Sequence, residues 1–235
     1  IDPSHGDEKL TGPRLLSIKI SPMFCGFGLA SNLFHAAELY LQDLGFKKVF
    51  ANYSSVPVIN GLTNLSHPCQ LLADLLTFYE CKGDIRDANV TWVGDYNNVC
   101  FSYVEASKLF QFNLEIACPK TYWPSTEVMQ ETGATFTEDL KAAVQESDLI
   151  TTDVWVSMGD EGDSENRIKE FNPYQVSPAV MDLAKTEAIF LHCLPAIRGQ
   201  EVSEDMLEDP RSKVWVQAEN RLHAQKALLL KLLDH

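Results

Sequence analysis

The sequence predicts an α/β fold, with a parallel sheet of about five strands covered by helices on both faces. From about Val90 onward, short apolar runs rich in β-branched and aromatic residues alternate with segments of helical periodicity. Strands joined by helices form right-handed crossovers, which make the strands parallel and bury both faces of the sheet. Together these two observations indicate a three-layer, Rossmann-like domain.

Each predicted strand is a short apolar run bounded by polar residues or glycine. The strands are Val90–Gly94, Leu114–Cys118, Leu149–Thr152, Ala188–Leu191 and Val214–Gln217. Helices are predicted where apolar residues recur every three or four positions. They cover Ser66–Cys81, Val99–Phe110, Pro124–Glu131, Glu138–Glu146, Ser177–Ala184 and Glu219–Leu233. Ser66 is the expected N-cap of the first helix, with Pro68 in its first turn.

The chain before Ser66 is less regular than the rest. We predict a flexible leader over residues 1–12 and a reduced N-terminal segment over 13–65, followed by the main α/β domain over 66–235. Inside the reduced segment, Asn32–Leu44 has helical periodicity and Val56–Asn60 is an extended run.

The charge balance excludes two classes of partner. There are 19 Lys and Arg against 33 Asp and Glu, which gives a formal net charge of −14. Such a chain repels nucleic acids and anionic membranes, and no apolar run reaches the ~20 residues that span a bilayer. The six cysteines form no Cys-x-x-Cys pair, which favours reduced thiols and a cytoplasmic location.

Polar residues follow four of the predicted strands at the point where each strand ends. They are Asp95–Asn98, Asp153–Gly159, His192–Pro195 and Glu219–Arg221. In an open parallel sheet, ligands bind at the carboxyl ends of the strands, where these groups are expected to converge. Carboxylate, amide, thiol and guanidinium groups at one edge suit a small zwitterionic ligand.

Several of these segments resemble the signature motifs of the ornithine carbamoyltransferases, in the same order along the chain. They are His67-Pro68-Cys69-Gln70, Asp153 to Gly159, His192-Cys193-Leu194-Pro195 and Glu219-Asn220-Arg221, with the lead-in Val56 to Thr63 and the tail Arg221 to Lys226. The resemblance covers about Ser54 to Leu233. It implies a transferase of arginine biosynthesis that moves the carbamoyl group of carbamoyl phosphate to the δ-amine of L-ornithine. It also implies a homo-oligomer, a trimer, that uses neither metal nor other cofactor. By the same resemblance, residues 13–65 would be a reduced remnant of the carbamoyl-phosphate-binding domain and 66–235 an ornithine-binding-like domain, whose C-terminal helix would pack back on the N-terminal part.

The resemblance assigns four residues to the amino-acid substrate. Asn98 would hold the α-carboxylate of ornithine, and Asp153 would hold its α-ammonium together with Ser157 and the Met158 backbone. An amide donor for a carboxylate and a carboxylate for an ammonium are chemically matched pairs.

The remaining assignments concern the reacting groups. Cys193 and the Leu194 carbonyl would lie beside the δ-amine, which is nucleophilic only when neutral. His67 and Gln70, three residues apart on one helix face, would polarise the carbamoyl oxygen. Arg221 would contact the phosphate. The residues expected to act in catalysis are therefore Cys193, His67, Gln70 and Asp153.

One part of the chain departs from the family pattern. The family's Ser-x-Arg-Thr-Arg phosphate loop is absent, Gly26 to Phe34 stands in its place, and no arginine occurs between Arg14 and Arg86.

The sequence leaves three hypotheses for the function: carbamoyl transfer to ornithine, a paralogue that binds an amino acid without transfer, and a different reaction on an ornithine-type substrate.

Structural roles are the alternatives for single residues. Cys193 can be a buried strand-end thiol, His67 can close a helix start, and Asp153 can serve backbone amides. His192 is expected to be structural, because adjacent side chains of an extended segment point to opposite faces. The acidic run Asp160–Glu165 is expected to be a solvated loop.

Overall fold

The computed structural model describes residues 61–63, 65–156, 162 and 164–233. Helices and strands alternate along it. They are α1 Pro68–Lys82, β1 Asn89–Val93, α2 Asn98–Phe110, β2 Asn113–Ala117, α3 Thr126–Thr132, β3 Thr135–Thr137, α4 Leu140–Val144, β4 Leu149–Thr152, α5 Ser164–Phe171, α6 Pro178–Met181, β5 Ile189–His192 and α7 Val214–Leu233. Residues Leu62–Lys226 form one compact unit, which contains the sheet and the site.

The five strands form one sheet in the order β3-β2-β1-β4-β5, and every neighbouring pair is parallel. The chain runs outward from β1 through β2 to β3, then returns to the other side of β1 with β4 and β5. This reversal of direction between β1 and β4 creates a crevice at their carboxyl ends, where open α/β sheets bind ligands. The predicted α/β fold is confirmed.

The core is the sheet itself, buried on both faces. Trp92, Ile116, Ile150 and Leu191, one from each of four strands, have no exposed surface. Continuous apolar strands are the signature of a parallel sheet between two helix layers. Each such side chain contributes about 1.5–3 kcal/mol by burial, so the crevice is built on a rigid base.

Four predicted strands are confirmed to within one residue at each end, because their apolar runs are buried on both faces. The fifth, Val214–Gln217, is wrong: these residues form the first turn of α7. Val214 and Gln217 are buried, whereas Trp215 and Val216 are exposed by 60% and 41%. Burial at positions i and i+3 is the helical pattern, so tertiary packing overrides the strand propensity of Val-Trp-Val. The fifth strand is instead β3, a three-residue edge strand.

Helix starts also differ from the prediction by up to five residues, as in α7, which begins at Val214 and not at Glu219. Helix α1 begins after His67, which makes no side-chain cap bond, and Pro68 occupies the first turn. Ser66 is therefore not the N-cap; its backbone N–H donates to Thr63 Oγ1. The acidic run predicted as a loop contributes Ser164 and Glu165 to the start of α5. A carboxylate at a helix N-terminus interacts favourably with the positive end of the helix dipole.

Several predictions concern residues outside the described ones. The helix at Asn32–Leu44 and the extended run at Val56–Asn60 both lie there. The division into segments 1–12, 13–65 and 66–235, and the packing of the last helix on the N-terminal part, remain predictions. Over the described residues, no helix is both long enough and apolar enough to cross a bilayer.

Candidate active site

The site lies at the carboxyl ends of β1, β4 and β5. Gly94 directly follows β1 with a φ of 126°, and a Cβ there would lie 3.4 Å from Thr152 Oγ1. Glycine is favoured because L side chains rarely adopt this φ. The turn it permits leads to Asn97, which caps α2 by accepting hydrogen bonds from the Val99 and Cys100 N–H groups.

Asp153, directly after β4, is the centre of the first cluster. Its Oδ2 accepts from Asn97 Nδ2 at 2.8 Å, and its Oδ1 accepts from the Val154 N–H at 2.8 Å. The Cys193 thiol also donates to Oδ1, at 3.0 Å. Three strand ends therefore supply one hydrogen-bonded group: Asn97 after β1, Asp153 after β4 and Cys193 after β5.

The Cys193 thiol is held in its neutral form. Burial and then the adjacent Asp153 carboxylate raise its pKa well above the ordinary value. A thiolate would face the carboxylate, whereas the thiol donates a hydrogen bond to it. Cys193 is thus suited to contact a substrate and unsuited to attack one.

His192 is held from both sides of its ring. Its Nδ1 accepts from the Leu194 N–H at 2.9 Å, and its Nε2 lies 3.2 Å from Glu201 Oε1. Both side chains are fully buried. These bonds agree with the structural role expected for His192, because neither ring nitrogen pairs with Cys193. Leu194 follows with a φ of 51° and a cis bond to Pro195.

Asp153, His192 and Cys193 also have donor atoms within 4.8 Å of one another, the one such group among the described residues. Carboxylate, imidazole and thiol are zinc-type ligands. Both His192 nitrogens are already used, so a metal would have to displace Leu194 N–H or Glu201. The arrangement does not favour a metal centre.

A second cluster lies on α1 and α7. Gln70 accepts a hydrogen bond from Arg221 Nη1 at 2.9 Å on its Oε1 and donates from Nε2 to Asp74 Oδ1 at 2.8 Å. Burial lowers the pKa of the Arg221 guanidinium, although arginine remains a cation at any physiological pH. The structure thus brings together Gln70 and Arg221, two of the residues assigned to carbamoyl phosphate.

The two other described polar residues that the sequence nominates lie near helix starts. The backbone N–H of His67 donates to Ser102 Oγ at 2.7 Å, which ties the start of α1 to α2. Asn98, the first residue of α2, donates from Nδ2 to the Thr63 carbonyl at 2.7 Å. Ser157 and Met158 lie outside the described residues.

Sequence reasoning assigned no role to several residues of this region. Asn97, Asp74, Gln217 and Tyr103 all bond to the nominated side chains or to each other. A signal was available for Asp74, a carboxylate inside the apolar run Leu71 to Leu76, because a buried acid needs partners. Asn97 lies in the strand-end segment Asp95–Asn98 that the sequence predicts at this edge, but its side chain was assigned no role.

Two family models match this chain. One, described as the aspartate/ornithine carbamoyltransferase Asp/Orn-binding domain, matches residues 86–232. The other, described as the carbamoyl-P-binding domain of the same family, matches residues 42–80.

Relatives and solved structures agree with the models. Ornithine carbamoyltransferase of Psychrobacter cryohalolentis is 51% identical over 83% of this chain and 65% of its own length. That of Archaeoglobus fulgidus is 49% identical over 86% of this chain and 68% of its own length. The crystal structure of the Thermus thermophilus enzyme superposes with a TM-score of 0.69 at 42% identity, covering 77% of this chain and 60% of its own. The chain thus spans about two thirds of the length of the relatives it matches.

Proposed function

This chain belongs to the aspartate/ornithine carbamoyltransferase family, and we propose that it transfers the carbamoyl group of carbamoyl phosphate to the δ-amine of L-ornithine. The products are citrulline and phosphate. The observation that carries this proposal is the hydrogen-bonded pair of Asp153 and Cys193, 3.0 Å apart at adjacent strand ends. A carboxylate next to a neutral thiol suits a diamino acid with one charged and one neutral amine.

In this proposal the ornithine backbone binds between β1 and β4. Asp153 accepts from the α-ammonium, which forms a charge-assisted hydrogen bond. Asn98 turns its amide from Thr63 to the α-carboxylate, exchanging a neutral partner for a charged one. Ser157 and the Met158 backbone complete the grip on the α-ammonium.

The δ-amine then lies beside Cys193 and the Leu194 carbonyl. Partial burial favours the neutral amine over its ammonium form, and a carbonyl acceptor orients the N–H so that the lone pair faces the carbamoyl carbon. The neutral Cys193 thiol adds no second negative charge to that of Asp153, which in this proposal pairs with the α-ammonium. The pair thus supplies orientation and a suitable environment.

Carbamoyl transfer forms a nitrogen–carbon bond and breaks the bond between the carbamoyl carbon and the phosphate oxygen. The electron pair leaves with the phosphate, which takes the proton that the amine loses. Negative charge develops on the carbamoyl oxygen, where His67 and the second N–H of Gln70 donate. Arg221 keeps further guanidinium N–H groups for the phosphate.

The phosphate needs more positive charge than Arg221 supplies. No arginine occurs between Arg14 and Arg86, so the proposal draws the remaining cations from lysines of this chain or from a second copy. This requirement agrees with the homo-oligomer, a trimer, that the sequence resemblance implies. The relatives named above are all called ornithine carbamoyltransferases and give no support to a paralogue that only binds an amino acid.

The direct test is citrulline formation by the 235-residue chain from carbamoyl phosphate and ornithine. We expect turnover that depends on both substrates and falls in the Cys193→Ala variant. Calorimetry should also show that the chain binds carbamoyl phosphate in the absence of ornithine, where no turnover occurs. Absence of turnover above background would contradict the proposal.

A further inference from the structure

Asp74 is a carboxylate in the middle of α1 that does not reach the crevice. It is 2% exposed. Its Oδ1 accepts from Gln70 Nε2 at 2.8 Å and from Gln217 Nε2 at 2.6 Å, and its Oδ2 accepts from the Tyr103 hydroxyl at 2.8 Å. Three helices thus direct donors at one buried acid.

The two glutamines lead from Asp74 to the two halves of the site. Gln70 uses its Oε1 to accept from Arg221 at 2.9 Å. Gln217 uses its Oε1 to accept from the backbone N–H of His192 at 2.9 Å, and His192 is next to Cys193 in the chain. The Asp74 carboxylate is therefore linked through one glutamine to the Arg221 guanidinium, and through the other to the strand end that carries Cys193.

An ionised carboxylate accepts hydrogen bonds and cannot donate them. Each glutamine must therefore turn its NH₂ group toward Asp74, which leaves its carbonyl oxygen directed at Arg221 or at His192. A neutral group at position 74 can donate as well as accept, so it permits either amide to rotate by 180° and present the wrong atom.

We propose that Asp74 is a positioning residue that fixes the amide orientations of Gln70 and Gln217, and through them Arg221 and the Cys193 strand end. This inference rests on the proposed carbamoyl transfer, because it assigns Asp74 to the alignment of that site. Asp74 touches neither substrate and acts only through its neighbours.

The ionisation of Asp74 supplies a readout. Burial raises its pKa to about 6, although its bonds to Gln217, Gln70 and Tyr103 and the charge of Arg221 oppose the rise. The titratable groups that face it are Tyr103 on α2, Arg221 on α7 and Cys193 after β5. Above about pH 6 Asp74 is an acceptor only; below that pH it gains a proton and no longer enforces the orientation of the two amides.

The variant Asp74→Asn removes the charge and keeps the shape. We expect kcat to fall roughly ten- to hundred-fold at pH 8, the size typical of a misaligned site, while KM for ornithine stays unchanged. The ratio of wild-type to variant kcat should shrink from pH 8 to pH 5, because protonated Asp74 resembles asparagine. Affinity for phosphonoacetyl-ornithine, which joins the two substrates in one stable molecule, should fall by a similar factor.

Asp148→Asn is the matched control. Asp148 is a partly buried carboxylate that pairs with Lys185 Nζ at 2.9 Å and the Asn89 N–H at 3.0 Å at the amino ends of the strands. Its loss should lower the melting temperature without changing kcat. An equal loss of kcat in both variants, or wild-type kcat in Asp74→Asn, would overturn the inference.

Tyr103→Phe covers the case in which Asp74→Asn fails to fold. It removes a hydrogen bond that lowers the pKa of Asp74, so Asp74 should become protonated at a higher pH. The pH below which kcat falls should therefore move upward, and an unchanged pH profile of kcat would overturn the inference. If wild type binds phosphonoacetyl-ornithine without forming citrulline, the proposed function fails and the inference is decided by the binding ratio. If wild type does neither, both fail.

Discussion

Asp153 uses both of its carboxylate oxygens in hydrogen bonds, to Asn97, Val154 and Cys193. The sequence nominates Asp153 and Cys193 because each follows a recognisable buried strand, and their contact follows from the parallel order of β4 and β5. The hydrogen bond from Asn97 to Asp153 depends on the orientation of the Asn97 side chain, which neither periodicity nor strand order specifies. The same is true of the amide chain from Gln70 through Asp74 to Gln217.

Asp153→Asn tests the grip on the ornithine ammonium. The variant loses a charge-assisted hydrogen bond of about 1.5–3 kcal/mol, which corresponds to roughly ten- to hundred-fold in affinity. Calorimetry with ornithine should show this loss. Asp182→Asn, a change at an exposed carboxylate paired with Arg211, serves as the control and should bind like wild type.

The same Asp153→Asn variant should make Cys193 more reactive. Removing the neighbouring negative charge lowers the pKa of the thiol, since Asp153 contributes to its elevation. At pH 8 a larger fraction is then thiolate, the nucleophilic form. Iodoacetamide labelling of Cys193, followed by peptide mass spectrometry, should be faster in the variant; a slower or equal rate would show that Asp153 does not control the thiol.

Among the elements, α5 shows what local sequence patterns miss. It carries Arg167, whose guanidinium forms an ion pair with Asp95 and donates from Nε to the Trp155 carbonyl at 2.7 Å. Arg167 also lies over the Tyr122 ring, 4.8 Å from its centroid. These contacts join α5 to the ends of β1 and β4, but the charged sequence before Arg167 predicts only a solvated loop.

Arg167→Met tests whether this buried ion pair holds the element in place. Leaving Asp95 buried without its cation should reduce the free energy of unfolding by about 3–5 kcal/mol. Arg86→Met removes an exposed pair with Asp84 and should change stability by less than about 0.5 kcal/mol. Urea denaturation of both variants gives the comparison, and equal effects would contradict the role of Arg167.

The start of α7 shows a second limit of prediction from local sequence. Val214–Gln217 is a strand by local propensity and a helical turn in the structure. Ser212 forms a single parallel bridge with Phe190 of β5, after which the chain enters the helix that carries Gln217 and Arg221. A sequence window cannot show where such a bridge ends, because the partner strand lies more than 20 residues away.

For the whole molecule, the alternation of strand and helix was sufficient to predict the parallel sheet and the edge at which the site lies. The strand order, which places β4 between β1 and β5, is a property of the complete sheet and emerges only in three dimensions. The relation of this sheet to residues 1–60 remains a prediction, and so does the oligomer.

Light scattering at micromolar concentration tests the oligomer. We expect a mass that is a multiple of the chain mass, three-fold if the trimer implied by the family resemblance forms. Addition of phosphonoacetyl-ornithine should not dissociate it. A monomer would remove the second copy as a source of phosphate-binding cations.

The most direct measurement of the proposed reaction follows the carbamoyl carbon itself. Carbamoyl phosphate labelled with ¹³C at that carbon is incubated with the chain and equal amounts of L-ornithine and L-aspartate, and the products are observed by NMR. We predict that the label appears in citrulline and that Asp153→Asn suppresses its appearance. Label in carbamoyl-aspartate, or label that reaches neither amino acid, would contradict carbamoyl transfer to ornithine at this site.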